Sequence, residues 1–210
     1  MTSIIPAILA HDEDAFLSRL RVAETFATDI QIDAMDGFFT PNESWFDASA
    51  VGGMETEAQF ELHLMVEEPR KWIDGAKDVA SIKRIVWHVE AETDHASLIA
   101  LCAANGVEAG LAISPETPEE TLAPYADKVQ EILVLGVRPG FSGQALIPDT
   151  IEKARRIHAR WPNVPLAFDG GVSATSIPGL RDAGVTRFVA ASAIFDAKDP
   201  KVAFEELQKV

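Results

Sequence analysis

Short runs of apolar and β-branched residues alternate along the chain with longer stretches of helical periodicity. The helical stretches repeat apolar residues at i, i+4 and i+7, and two examples are Phe16, Leu20, Ala23 and Ala203, Leu207, Val210. The short runs predict eight strands: Ser3–Leu9, Asp29–Met35, Gln59–Val66, Arg84–Glu90, Glu108–Ile113, Glu131–Val137, Val164–Phe168 and Arg187–Ala191.

Alternating strands and helices imply parallel strands with right-handed crossovers, in either an open doubly wound sheet or a closed barrel. A doubly wound sheet usually has a glycine-rich loop after its first strand, whereas this loop reads Ala10-His11-Asp12-Glu13. Glycines instead cluster after the sixth and seventh predicted strands, where barrels build phosphate sites. The pattern therefore favours the α/β class and a single (β/α)8 TIM barrel over residues 1–210.

Composition and charge narrow the classes of function. With 18 basic and 33 acidic residues the net charge is −15, which disfavours a nucleic-acid partner and leaves any anionic ligand to local groups. The apolar runs are strand-sized, so we expect no membrane crossing, and the N-terminus lacks the pattern of a signal peptide. The lone Cys102 suggests a buried thiol in a reducing compartment. These features predict a cytoplasmic protein.

Polar residues stand near the predicted carboxyl ends of three strands, where barrel enzymes place catalytic groups. With a period of two, Gln31, Asp33 and Met35 share one face of the second strand, and a carboxylate buried there without a partner would be costly. His63 lies on the third strand and Asp169 follows the seventh. Taken singly, Asp33 could cap a loop, His63 could be a core residue and Asp169 could belong to a turn. Their joint occurrence favours a catalytic site.

Small residues after the last three strands suggest a phosphate site. Backbone N–H groups in glycine-rich turns and at helix starts can hold a phosphate without a cation, which suits an acidic protein. The candidate residues are Gly140, Ser142, Gly143, Gly170, Gly171, Ala191 and Ser192.

Together these motifs resemble the ribulose-phosphate 3-epimerase family, over nearly the whole chain and in the same order. The most specific strings are Met35-Asp36-Gly37-Phe38-Phe39-Thr40-Pro41-Asn42 and Pro139-Gly140-Phe141-Ser142-Gly143-Gln144. Shorter matches begin at Ile5, His63, Asp169 and Ser192. The resemblance implies a TIM barrel of the ribulose-phosphate-binding type.

The resemblance also implies an activity, an isomerase reaction of carbohydrate metabolism. The chain would invert C3 of a phosphorylated ketose, D-ribulose 5-phosphate/D-xylulose 5-phosphate or a related sugar phosphate, by a 1,1-proton transfer between Asp33 and Asp169. A divalent metal would be held by these aspartates, His63 and, weakly, Gln31. Met35 and His63 would join the residues that contact the substrate.

Several positions depart from the family pattern. Gln31 stands where the family has its first metal-binding histidine, and an amide oxygen is a poorer zinc ligand than an imidazole. Ala7 replaces a serine, Arg138 an asparagine and Ala191 a glycine. The altered ligand set leaves zinc, manganese, iron and magnesium open, as well as weak or absent metal binding, so the resemblance alone does not establish activity. If no metal binds, Arg138 is a candidate electrophile.

Two other functions stay open at this stage. One is a catalytically silent phosphosugar-binding barrel, which the missing imidazole at Gln31 suggests. The other is a sugar-phosphate decarboxylase or aldolase, but related barrels of that kind carry Asp-x-Lys-x-x-Asp, and Met35 stands at the lysine's position. In each case the expected partner is a phosphorylated sugar, with no nucleic acid and no membrane, and a homo-oligomer is compatible with the sequence.

Overall fold

Parallel strands close into a barrel in the computed structural model, which describes residues 3–210. The strands follow one another around the barrel in chain order, and β8 pairs with β1. Their bounds are β1 Ser3–Ile8, β2 Asp29–Met35, β3 Gln59–Met65, β4 Ile82–His88, β5 Glu108–Ile113, β6 Glu131–Leu135, β7 Leu166–Asp169 and β8 Arg187–Ala190. The predicted TIM barrel is confirmed.

Helices surround the barrel. They are α1 Glu13–Ala23, α2 Ala48–Gly52, α3 Pro69–Ala76, α4 His95–Ala104, α5 Asp149–Arg160, α6 Ile177–Asp182, α7 Ser192–Phe195 and α8 Pro200–Lys209. Asp12 caps α1, since its side chain accepts a hydrogen bond from the Ala15 N–H at 2.8 Å. None of the helices between residues 3 and 210 is long and apolar enough to cross a membrane.

The connection from β5 to β6 differs from the predicted helix. It contains two short 3₁₀ segments, Glu119–Leu122 and Ala126–Lys128. Pro124 lies between them, and a proline there lacks the N–H that a continuous helix would need. Pro118, followed by Glu119 and Glu120, suggested the first turn of a helix, which the chain does not form.

Strand β4 begins and ends two residues earlier than predicted, at Ile82 and His88 instead of Arg84 and Glu90. Lys83 and Arg84 disguise its start in the sequence, because charged residues are uncommon inside strands. The Arg84 guanidinium is compensated by carboxylates of β3 and β6, and it lies 2.6 Å from Glu61 and 3.0 Å from Glu131.

Two apolar layers make up the core. The outer layer packs helices against the outward faces of strands and includes Phe16 and Leu20 of α1 with Ile30 and Ile32 of β2. The inner layer fills the barrel with Ile5, Ala7, Val86, Ala112, Leu133, Leu135, Ala167 and Val189. Helix α8 buries Phe204 and Leu207, so its apolar face differs from the predicted one.

An ion cluster closes the barrel at the amino ends of its strands. Arg187 lies 2.7 Å from Glu61 and 2.6 Å from Glu131, and Arg84 contacts the same two carboxylates. Guanidinium and carboxyl groups in contact therefore fill this end of the barrel, and the polar groups at the opposite end are free to form a ligand site.

Candidate active site

Three predicted site residues meet inside the barrel mouth. Asp33 of β2 pairs in register with His63 of β3, and Asp169 ends β7. The His63 Nδ1 atom lies 3.1 Å from Asp33 Oδ1 and 3.6 Å from Asp169 Oδ2. Potential ligand atoms of all three residues lie within 4.8 Å of one another. Side chains from three separate strands thus converge on one point.

Gln31 lies directly beside this group. Its Nε2 atom donates hydrogen bonds to Asp33 Oδ1 at 2.7 Å and to Asp169 Oδ2 at 2.8 Å, and it lies 3.4 Å from His63 Nδ1. The side chain is fully buried, as the two-residue period of β2 predicted for an inward position. The amide nitrogen therefore links the two carboxylates.

The surroundings shift the proton affinities of this group. Burial raises the pKa of Asp33, and the nearby Asp169 charge adds to the effect. Burial alone would lower the pKa of His63, but hydrogen bonds to Asp169 and Asp33 and their charges raise it to about 9. At neutral pH His63 is therefore an imidazolium between two acidic groups.

Sequence reasoning did not assign a role to two residues next to His63 in the structure, His88 and Glu90. His88 is fully buried, and its Nε2 atom lies 3.1 Å from His63 Nε2. The His88 Nδ1–H donates to Glu90 at 3.0 Å, and Glu90 also accepts from the Ser114 N–H at 2.8 Å. Together these bonds orient the His63 ring. His88 follows Val86 by two residues and so shares its inward face, and this spacing was the signal that could have found it.

The predicted phosphate residues line a cleft that continues from Asp33, His63 and Asp169. The lining includes Met35, Gly140, Ser142, Gly143, Gly170, Gly171, Ala191 and Ser192, all of which were predicted from the sequence. Gly171 has a φ of +70°, and a Cβ there would lie 2.5–2.9 Å from Leu146 atoms. This close approach packs the loop after β7 against the loop after β6, so both border one cleft.

The Met-Asp-Gly motif owes part of its role to local structure. Asp36 accepts hydrogen bonds from the N–H groups of Phe38 and Phe39 at 2.9 Å and from Glu67 N–H at 2.7 Å. Asn42, at the end of the motif, donates to the Gly140 carbonyl at 2.6 Å. The loop after β2 is thereby tied to the loops after β3 and β6 at the barrel mouth.

Two of the departures from the family pattern have clear positions. Ala7 is buried in the inner apolar layer, below the polar group. Arg138 borders the cleft, but its side chain is 72% exposed and pairs with Glu116 at 2.7 Å. An exposed, paired guanidinium is a weak candidate for the electrophile suggested by the sequence.

The converging side chains fit a divalent cation in three positions. Two carboxylates and one imidazole nitrogen are donors that such ions accept. Ligands bonded at about 2.0–2.2 Å to one ion lie roughly 3–3.6 Å from one another, and His63 Nδ1 lies 3.1 and 3.6 Å from the two carboxylate oxygens. Gln31 is different, because it presents an N–H group to this point and its Oε1 atom faces away.

Fold and site define a TIM barrel with two aspartates and a histidine grouped at the carboxyl ends of its strands. The profile of the ribulose-phosphate 3 epimerase family matches residues 2–195. The ribulose-phosphate 3-epimerase of Candida glabrata is 35% identical, with 94% of this chain and 87% of that protein covered. The cytoplasmic isoform of Oryza sativa subsp. japonica is 30% identical, with coverages of 98% and 92%.

Solved structures of other proteins have a similar fold. A mutant tryptophan synthase α-subunit of Pyrococcus furiosus superposes with a TM-score of 0.70 at 18% identity, covering 99% of this chain and 98% of that one. This likeness concerns the barrel alone. The family profile and the curated relatives go further, and the chain belongs to the ribulose-phosphate 3-epimerase family.

Proposed function

We propose that this protein epimerises C3 of a ketopentose 5-phosphate, interconverting D-ribulose 5-phosphate and D-xylulose 5-phosphate. The observation that carries this proposal is the placement of Asp33 and Asp169. They enter the barrel mouth from β2 and β7, and both have an oxygen within hydrogen-bond distance of the same Gln31 nitrogen. Two carboxyl groups so close together can act on a single carbon.

The proposed reaction moves one proton off C3 and another onto it. One aspartate accepts the C3 proton as the C–H bond breaks, and the electron pair enters an enediolate. The other aspartate, which starts the turnover protonated, delivers its proton to the opposite face of this carbon, which inverts the centre. Without a bound cation, His63 is protonated at neutral pH and lies 3.1 Å from Asp33, so it stabilises negative charge next to the reacting carbon.

The phosphate of the substrate would occupy the far part of the cleft. There the glycines after β6 and β7 and Ser192 offer backbone N–H groups in a chain whose net charge is −15. Binding through the backbone needs no basic side chain. It also sets the distance between the phosphate and the two aspartates, which selects the carbon that loses its proton.

Asp33, His63 and Asp169 are the residues that would hold a divalent cation. A bound cation supplies Lewis-acid stabilisation of the enediolate oxygens. In the same protein His88 and Glu90 fix the His63 ring so that its Nδ1 atom faces the aspartates, an arrangement common for metal-binding histidines.

The test replaces each aspartate with the amide of the same shape. Asp33→Asn and Asp169→Asn should each lower the rate of D-ribulose 5-phosphate epimerisation at least about 10²-fold, because an amide cannot accept the proton. Binding of the sugar phosphate, measured by calorimetry, should change little. Asp29→Asn, at the opposite end of β2, is the matched control and should keep wild-type activity. Full activity in either active-site variant would refute the proposal.

The alternatives have less support. Tight binding of sugar phosphate by wild-type protein without any turnover would indicate the silent phosphosugar-binding barrel. A decarboxylase or aldolase would need a cation to protonate a carbanion, and no lysine is among the described residues that line the cleft.

We also propose a cytoplasmic location, which the single buried cysteine supports.

A further inference from the structure

The amide of Gln31 has an unusual hydrogen-bonding balance. Its nitrogen donates to both catalytic carboxylates, at 2.7 and 2.8 Å. Its Oε1 atom is buried and has no hydrogen-bond partner among the described residues. The whole stabilisation of this polar group therefore comes from the side that faces Asp33 and Asp169.

The chemistry of the partners requires this orientation. A carboxylate oxygen only accepts hydrogen bonds, so an amide oxygen at 2.7–2.8 Å from Asp33 and Asp169 would be repelled. The amide nitrogen carries two hydrogens, one for each carboxylate. Charge-assisted bonds of this kind are stronger than bonds between neutral groups.

The oxygens that bind Gln31 are the ones that a cation would need. Asp33 Oδ1 and Asp169 Oδ2 accept from Gln31 Nε2, and the same two atoms face His63 Nδ1. We propose that the Gln31 amide takes the place of a divalent cation between the two aspartates and competes with metal for them. Gln31 is then a competitor of the metal and not its fourth ligand.

Turning the amide would not remove the competition. If the Gln31 side chain rotated to present Oε1 to a cation, Nε2 would move to the buried position where Oε1 now has no partner. The two hydrogen bonds from Nε2 to Asp33 and Asp169 would then be lost. Metal binding must therefore break two good hydrogen bonds in either case.

Replacement of Gln31 shows whether this residue competes with the metal or binds it, because the two roles predict opposite changes in metal affinity. Metal-stripped wild-type protein, Gln31→Ala and Gln31→Leu are titrated with Mn²⁺ and with Zn²⁺ alone, by calorimetry. Both variants remove the competing N–H groups, so we expect the dissociation constant to fall at least about tenfold, the equivalent of one lost charge-assisted bond. Gln59→Ala is the control, since Gln59 begins β3 at the opposite end of the barrel, and it should match wild type.

Weaker or unchanged metal binding by folded Gln31→Ala or Gln31→Leu would overturn the inference, because removal of a ligand lowers affinity and removal of a bystander does nothing. Circular dichroism confirms folding, and the leucine variant guards against collapse around the smaller alanine. The inference rests on the proposed use of this site by an epimerase. The titration contains no sugar, so a lack of epimerisation would leave its outcome unaffected.

Discussion

Two carboxyl groups buried inside the same barrel, those of Asp33 and Glu131, differ in their surroundings. Asp33, at the mouth, is paired with a histidine and an amide, and its site is open to a cleft. Glu131, at the floor, is fully buried between Arg84 and Arg187 and beside Glu61. Burial raises the pKa of both groups. Access to the cleft distinguishes Asp33, the proposed catalytic carboxyl, from Glu131.

The raised pKa of Glu131 predicts that the stability of the fold depends on pH. Burial and the Glu61 charge raise the pKa of Glu131 from 4.5 to about 8, although both arginines lower it. The folded protein thus holds this proton more tightly than the unfolded chain. The stabilising contribution is complete below pH 4.5 and is lost as the pH rises through about 8. Glu131→Gln removes the titration and should flatten the decline in melting temperature between pH 5 and 8.

Each kcal/mol of this effect corresponds to about 2–4 °C in a protein of this size. His63 contributes its own decline as the pH rises toward 9, so the informative quantity is the difference between variant and wild type. Glu57→Gln, at an exposed position, should reproduce the wild-type curve. A Glu131→Gln curve parallel to wild type would show that Glu131 is ionised throughout this range.

At the scale of elements, the site depends on where strands end and how the next loops turn. Strands β2, β3 and β7 supply the acid–base group, and the loops after β6 and β7 supply glycines with positive φ. Gly143 has a φ of +77°, and a Cβ there would meet no atom within 4 Å. Its side of the loop is therefore open toward the cleft and available to a ligand.

A matched pair of glycines tests this role. Gly106, after α4, has a φ of +71° and equally open surroundings, but it does not line the cleft. Gly143→Ala and Gly106→Ala should therefore cost similar stability, about 1–2 kcal/mol for a left-handed alanine. Only Gly143→Ala should weaken binding of D-ribulose 5-phosphate, by about tenfold or more, in a calorimetric titration. Equal dissociation constants for the two variants would place the phosphate elsewhere.

Much of this arrangement could be predicted from the sequence, because strands in barrels have clear apolar periods. The bounds of β2 and β5 agree with the structure, and the inward face of β2 correctly placed Gln31 and Asp33 side by side. His88 lay within the predicted β4, but the sequence did not assign its side chain to a face. Arg84 is tolerated inside this strand only because residues of other strands neutralise its charge. Such compensation, like the contact between Gln31 and Asp169, depends on pairs far apart in the chain.

At the scale of the whole molecule, the ion cluster and the candidate active site lie at opposite ends of the barrel. Its floor is a cluster of paired charges, its centre is apolar, and its mouth carries polar side chains beside a glycine-lined cleft. The net charge of −15 repels anions at a distance. In the proposed function, backbone groups of the glycine loops at the mouth bind the phosphate locally in spite of this net charge.

The most direct test of the central claim follows the hydrogen on C3 in deuterated water. Wild-type protein is incubated with D-ribulose 5-phosphate, and NMR measures deuterium at C3. The two-aspartate account predicts D-xylulose 5-phosphate that carries deuterium at C3, because the returning proton comes from a carboxyl group that exchanges with solvent. The Asp33→Asn/Asp169→Asn double variant should bind the sugar phosphate and leave C3 unlabelled. If wild-type protein binds the sugar while C3 keeps its hydrogen, the protein is not an epimerase acting at this carbon.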